Sequence, residues 1–125
     1  MVESYEHQKE NAYVFFKLKY SDLQKLNSGL YTIHDFLESI FPGSRVRQEI
    51  ATKIFDELKR EPCTFQMLLQ KTGAKKSTLF GVCLSLHRSG LISRKSKREP
   101  FVLSNSFATL VREYSYWWER WFGQR

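Results

Sequence analysis

Two glycines punctuate the middle of this chain and leave little choice about what lies between them. From Thr64 to Arg98 the sequence reads TFQMLLQKTGAKKSTLFGVCLSLHRSGLISRKSKR. Phe65, Leu68 and Leu69 recur at helical spacing up to Gly73, the residue type that most easily takes the left-handed conformation closing a helix. A second segment opens at Ser77, a favoured N-cap, and carries Leu79, Val82, Cys83 and Leu86 on one face. Gly90 stops it. Leu91 and Ile92 lead through a basic, turn-rich stretch to a short apolar run, Phe101-Val102-Leu103. The pattern predicts helices over residues 65–72 and 78–89. It also predicts a hairpin pairing Ile92 to Arg94 with Phe101 to Leu103.

The flanks add three helices. Thr32 to Phe41 reads as a short one, with Thr32 as N-cap, Asp35 at the capping-box position and Phe36, Leu37, Ile40 and Phe41 as its apolar side. Pro42-Gly43 ends it, and Ser44 caps the next. In that helix Val46, Ile50, Ile54 and Leu58 repeat every four residues, with Ala51 and Phe55 beside them, until Pro62 interrupts. A last helix spans Ser106 to Phe122. Residues 1–30 admit two readings. Ala12, Phe16, Tyr20, Leu23 and Asn27 share a helical face, which Asn27-Ser28-Gly29 would stop. Val14, Phe16, Leu18 and Tyr20 alternate as in a strand, after which Ser21 to Gln24 resembles a capping box. The helix is preferred, because a lone strand needs a sheet partner.

Several phrases together resemble one family. Thr64-Phe65 through Leu68, Thr72-Gly73-Ala74, Ser77-Thr78-Leu79 and Ser89-Gly90-Leu91-Ile92 are similar to the winged helix-turn-helix regulators of the broad ArsR/MarR type. The stretch from Phe41 to Ile50 looks like the start of the first helix in many prokaryotic members, archaeal ones among them. The resemblance covers about 60 residues, from Ser44 to Leu103. It implies a mainly α fold with a β-hairpin wing, a winged helix-turn-helix core flanked by aromatic N- and C-terminal helices. Three parts follow: 1–43 as an aromatic-rich packing or dimerisation segment, 44–103 as the DNA-binding core, and 104–125 as a C-terminal dimerisation helix.

Charge is distributed to match. Residues 62–98 hold eight Lys/Arg (71, 75, 76, 88, 94, 95, 97 and 98) and no Asp or Glu, while the remaining residues hold twelve against thirteen. The net charge of +7 therefore arises entirely within the helical pair and hairpin. So focused a charge is the electrostatic footprint expected of a protein that meets a phosphate backbone; a solvated basic face with no partner is the plainer explanation. In helix-turn-helix proteins the second helix enters the major groove with its N-terminal residues nearest the bases. Lys75, Lys76, Ser77, Thr78, Gly81, Ser85 and Arg88 are thus expected at the groove or its phosphates. Arg94, Lys95, Lys97 and Arg98 are expected on the flanking backbone, where the alternative is that they merely keep a hairpin edge from pairing. Thr64 and Gln66, at the start of the preceding helix, are candidates for a further phosphate contact. The outward face of the recognition helix lacks Arg, Asn and Gln at its middle, so bidentate readout of purines has no donor there. Gly81 allows close approach to the backbone and Phe80 a touch on a thymine methyl, or else Phe80 and Leu84 pack against the wing or another protein.

The C-terminal helix repeats in sevens: Phe107, Tyr114 and Trp121; Leu110 and Trp117; Val111 and Trp118. That stripe is wider than packing on one small domain requires, and aromatics favour interfaces. These seven residues are expected to form a homodimer interface, with packing inside one subunit as the alternative. An aromatic ligand pocket beneath the helix is a further option, though no polar constellation defines a ligand.

Other classes find little support. The 125 residues suit one domain, and 42% hydrophobic with 15% aromatic content argues against disorder. No apolar run approaches the ~20 residues of a membrane span, and the first residues lack a signal peptide's apolar centre; a cytoplasmic, nucleoid-associated protein is expected. Cys63, in the turn before the helical pair, and Cys83, on a buried face, read as reduced thiols. His7, His34 and His87 are scattered, and no hydrolase, zincin or nucleotide-binding motif appears. No enzyme activity, cofactor or metal is expected. The functional expectation is a DNA-binding transcriptional regulator binding double-stranded DNA as a homodimer. Its rivals are a sequence-tolerant architectural DNA-binding protein and a protein-interaction module of the transcription or replication machinery, gripping its partner through Phe80 and Leu84.

Overall fold

The computed structural model describes residues 16–124. Among them the chain is mainly helical, with one small antiparallel sheet: α1 (Asp22–Ser28), α2 (Ile33–Ile40), α3 (Arg45–Arg60), α4 (Phe65–Thr72), α5 (Lys76–Arg88), β1 (Ile92–Ser93), β2 (Val102–Leu103) and α6 (Ser106–Gly123). Three of the six helices start on a side-chain cap, two of them, Thr32 and Ser44, as predicted. Thr32 and Asp35 form a reciprocal capping box on α2, Ser44 accepts from the Arg47 N–H on α3, and Thr64 accepts from the Met67 N–H on α4. Gly29 and Gly73 close α1 and α4 in the left-handed conformation.

The long α3 is the spine. Its buried face of Ile50, Ala51, Ile54, Phe55 and Leu58 meets Leu37 and Phe41 from α2, Leu68 from α4, and Leu79, Val82, Cys83 and Leu86 from α5. Ile92 and Phe101 close this core from the hairpin side. Gln48 ties α3 to α2: its amide donates to Glu38 Oε2 at 2.6 Å and to the Phe41 carbonyl at 2.9 Å. The carbonyl near the end of α2 is thereby satisfied within the fold.

The hairpin pairs Ile92 with Leu103 and Ser93 with Val102. A third, single-residue rung lies beyond it. The Cys63 N–H donates to the Phe101 carbonyl at 3.1 Å, and the Phe101 N–H donates back to Cys63 at 2.7 Å. The chain thus runs helix, bridge, helix, turn, helix, hairpin, and the hairpin is sewn to the segment leading into α4.

Five expectations need correction. Ser77 does not cap α5. The chain reverses quickly after Gly73, so α5 begins at Lys76 and the capping position falls to Lys75, whose side chain supplies no acceptor. Val46 does not join the core; in the first turn of α3 it is 62% exposed, outside the buried face it was predicted to extend. Cys63 is not a turn residue but a fully buried rung. Ser21 precedes α1, yet its side chain makes no capping bond. Neither long reading of the N-terminal segment holds over residues 16–19, which are in neither helix nor strand. There the Lys17 N–H donates to the Ser39 carbonyl. The rest of that segment lies outside the described residues.

Candidate nucleic-acid interface

The predicted cationic side chains separate into groups with different surroundings. Lys75, Lys76 and Ser77 are exposed at the start of α5, Thr78 is half-buried behind them, and Gly81 and Ser85 lie exposed along the same helix. Because α5 has no side-chain cap, its first-turn N–H groups are not taken up by a protein acceptor of that kind. Phe80 stands 56% exposed, its ring edge-on to Phe65 at 6.5 Å. A Cβ built on Gly81 would meet nothing within 4 Å, so the outer face of α5 is bare there. Leu84 is half-buried.

Beside the C-terminal half of α5 sits the hairpin. Lys95, Lys97 and Arg98 are exposed in its loop. Arg94 is drawn inward instead. Its guanidinium lies 4.3 Å from the centre of the Phe101 ring and donates to the Lys97 carbonyl at 3.2 Å, so it braces the loop that presents the other three. Arg88, in the last turn of α5, is half-buried. Burial, together with the charges of Arg94 and Arg88, holds the His87 imidazole below its ordinary value. That ring also meets Phe101 edge-on at 6.3 Å.

One predicted contact residue is engaged elsewhere, and so is one cation of the basic stretch for which no contact was predicted. The Thr64 hydroxyl caps α4, while Gln66 beside it is exposed. Lys71, one of the eight cations of the basic stretch, is held by α3: its ammonium lies 3.1 Å from Glu61 and 3.7 Å from Glu57. The hydrogen bond to Glu61 raises its pKa. Sequence reasoning missed this neutralisation because both carboxylates lie just outside the acid-free stretch. A lysine five residues before the acid-free second helix gave no sign that it faces α3.

The thiols are chemically quiet. Burial pushes Cys83 up to about 12 and raises Cys63 as well, and neither is in a disulfide. Among the described residues no cluster of His, Cys, Asp or Glu could hold a metal ion, and no helix is long and apolar enough to cross a membrane.

The helix α6 buries no residue at all. Phe107, predicted for a dimer interface, is taken within the protomer: its ring packs edge-on against Phe36 and Phe16, each at 5.6 Å. Its N–H donates to the Gly90 carbonyl at 3.0 Å, fixing the root of α6 to the end of α5. Leu110 is half-buried. Val111, Tyr114, Trp117, Trp118 and Trp121 are all exposed, and the indoles stack along the helix, Trp118 on Trp121 at 5.2 Å and Trp117 on Trp121 at 6.5 Å. No family model, curated protein or solved structure matches this chain.

Proposed function

We propose that this chain is a DNA-binding regulator with a winged helix-turn-helix core, acting as a homodimer, with α5 in the major groove and the hairpin on the flanking backbone. The observation that carries the reading is the charge: every unit of the net +7 originates between residues 62 and 98. Within that stretch Lys75 and Lys76 are exposed at one end of α5, and Lys95, Lys97 and Arg98 on the loop beside its other half. A thirteen-residue helix is about 20 Å long, against a major groove about 12 Å wide. Cations at its start and beside its far half therefore suit phosphates on the two sides of one groove. The uncapped N–H groups at the start of α5 favour the same anion.

The outer face of α5 favours tolerance of sequence over strict readout. Phe80, Gly81 and Ser85 offer apolar contact, bare backbone and a single hydroxyl, and none of these gives a bidentate bond to a base. A sequence-tolerant mode of binding is thus the second reading.

Fluorescence anisotropy with two unrelated duplexes over a range of salt concentrations tests both. Binding to either should weaken with salt. Lys97→Ala/Arg98→Ala should weaken both duplexes alike and flatten the log–log salt slope by about 0.9 per lost phosphate contact, roughly 1.8 in all. An unchanged slope would remove the hairpin from the interface, and no binding at low salt would remove the reading itself. A strong preference for one duplex would favour a specific regulator over a DNA-coating role.

A further inference from the structure

The exposed aromatic stripe of α6 also carries information about orientation. Phe107 is consumed within the protomer, so the face left uncovered runs from Leu110 to Trp121. Written as a heptad with Phe107, Tyr114 and Trp121 at the first position, the stripe occupies the first, fourth and fifth places and holds no charge. The four charged residues of α6 fall at only two other places. Arg112 and Glu119 are at the sixth, pointing away from the stripe, and Glu113 and Arg120 are at the seventh, along one border of it. Among the described residues neither Glu113 nor Arg120 has an ion-pair partner. They are two turns apart on the same helix and cannot reach each other.

Two copies of α6 laid antiparallel solve this arrangement. With Tyr114 opposite the partner's Trp117 and Leu110 opposite the partner's Trp121, seventh places face each other across the seam. Glu113 then meets the partner's Arg120, and by symmetry Arg120 meets the partner's Glu113. Two complementary ion pairs border one apolar seam. A parallel pair would instead set Glu113 against the partner's Trp118 and leave both charges without a partner. The four aromatic rings contribute roughly 100 Å² each, so they cover on the order of 400 Å² per protomer and about 800 Å² for the pair, to which Leu110 and Val111 add; that is the size of a weak, reversible interface. A lipid surface fits less well, because α6 carries two Arg against two Glu and lacks the basic polar face such helices present.

We infer that a second copy of this chain covers the stripe, through antiparallel α6 helices in the register that pairs Glu113 with Arg120 of the partner subunit. The inference deepens the dimeric part of the proposed function and rests on that part alone; it makes no use of DNA.

Sedimentation equilibrium of the full chain without DNA, across a range of concentrations, tests it. The unaltered chain should be dimeric. Glu113→Arg and Arg120→Glu each place like charges opposite one another twice, and each should raise the dimer dissociation constant about tenfold. The reversed double variant, Glu113→Arg with Arg120→Glu, should return to near the original value. So should an equimolar mixture of the two single variants, in which both pairs re-form between unlike chains. Single variants that dimerise as well as the original, or a double variant that stays weak, would overturn the register. A chain that remains monomeric at every concentration would overturn the pairing, and buried tryptophan emission in that monomer would assign the stripe to the chain's own residues. DNA binding measured separately distinguishes either failure from a failure of the nucleic-acid reading.

Discussion

Gly90 is the hinge post on which α6 is hung, and replacing it with alanine should be far more costly than the same change at Gly73. Both glycines are left-handed, at φ +83° and +65°. Both substitutions therefore carry the steric cost of an L-residue there, about 1 kcal/mol, and both gain the same fraction of a kcal/mol from a stiffer unfolded chain. Those contributions cancel in the comparison. What differs is space. A Cβ at Gly73 meets nothing within 4 Å, whereas at Gly90 it lies 2.8 Å from the Phe107 backbone nitrogen and 3.1 and 3.2 Å from Ser106 Cβ and carbonyl carbon. No flexible side-chain end is among those atoms, so the root of α6 itself must retreat. The bond from the Phe107 N–H to the Gly90 carbonyl is lost, worth about 1 kcal/mol. Phe107 lifts from Phe36 and Phe16, at about 1 kcal/mol for the aromatic contact. Gly90→Ala should thus destabilise by about 2 kcal/mol more than Gly73→Ala in urea unfolding followed by far-UV circular dichroism. Two variants within about 0.5 kcal/mol of each other would show that α6 is not anchored as described.

Two further outcomes follow from the electrostatics. Lys71→Gln should leave the salt dependence of DNA binding unchanged, because Glu57 and Glu61 already hold that ammonium. Lys75→Gln/Lys76→Gln should instead flatten the slope by about 1.8; equal effects from the two variants would refute the neutralisation of Lys71. His87 makes stability pH-dependent. Its pKa is depressed in the fold, so below its ordinary value of 6.5 the unfolded chain binds protons that the folded one refuses. The stabilisation is fully present above pH 6.5 and is lost as pH falls below it, at no more than about 1.4 kcal/mol per pH unit. His87→Gln should remove that dependence between pH 7.5 and 5.5, and an unaltered slope would locate it in other groups.

What could be read from the sequence was what is local. The end of α4 follows from Gly73, the start of α3 from Ser44 and the start of α2 from Thr32 and Asp35, because a cap and a left-handed glycine are decided within a few residues. The buried face of α5, and that of α3 apart from Val46, were legible from spacing alone. Partners across the fold were not. Nothing near Arg94 announces that its guanidinium rests on Phe101, since that contact exists only once the hairpin has closed. Lys71 reads as one more cation until α3 is packed beside α4. Ser77 misled because capping preference is a weak local rule, and here the reversal at Gly73 fixed where α5 begins. Phe107 belongs to the same heptad line as Tyr114 and Trp121, and periodicity cannot tell which member of a line a neighbouring element will take.

The rung between Cys63 and Phe101 has a kinetic meaning. Its two residues enclose all of α4, α5 and β1, so closing the rung carries a loop-closure cost until that intervening chain has condensed. Docking of the hairpin onto the rest is then a late event on the way to the native state. Arg94 and the exposed cations of the hairpin loop reach their final positions only at that step. Weakening the rung is expected to hasten unfolding more than it slows folding, which would shorten the lifetime of the assembled basic surface.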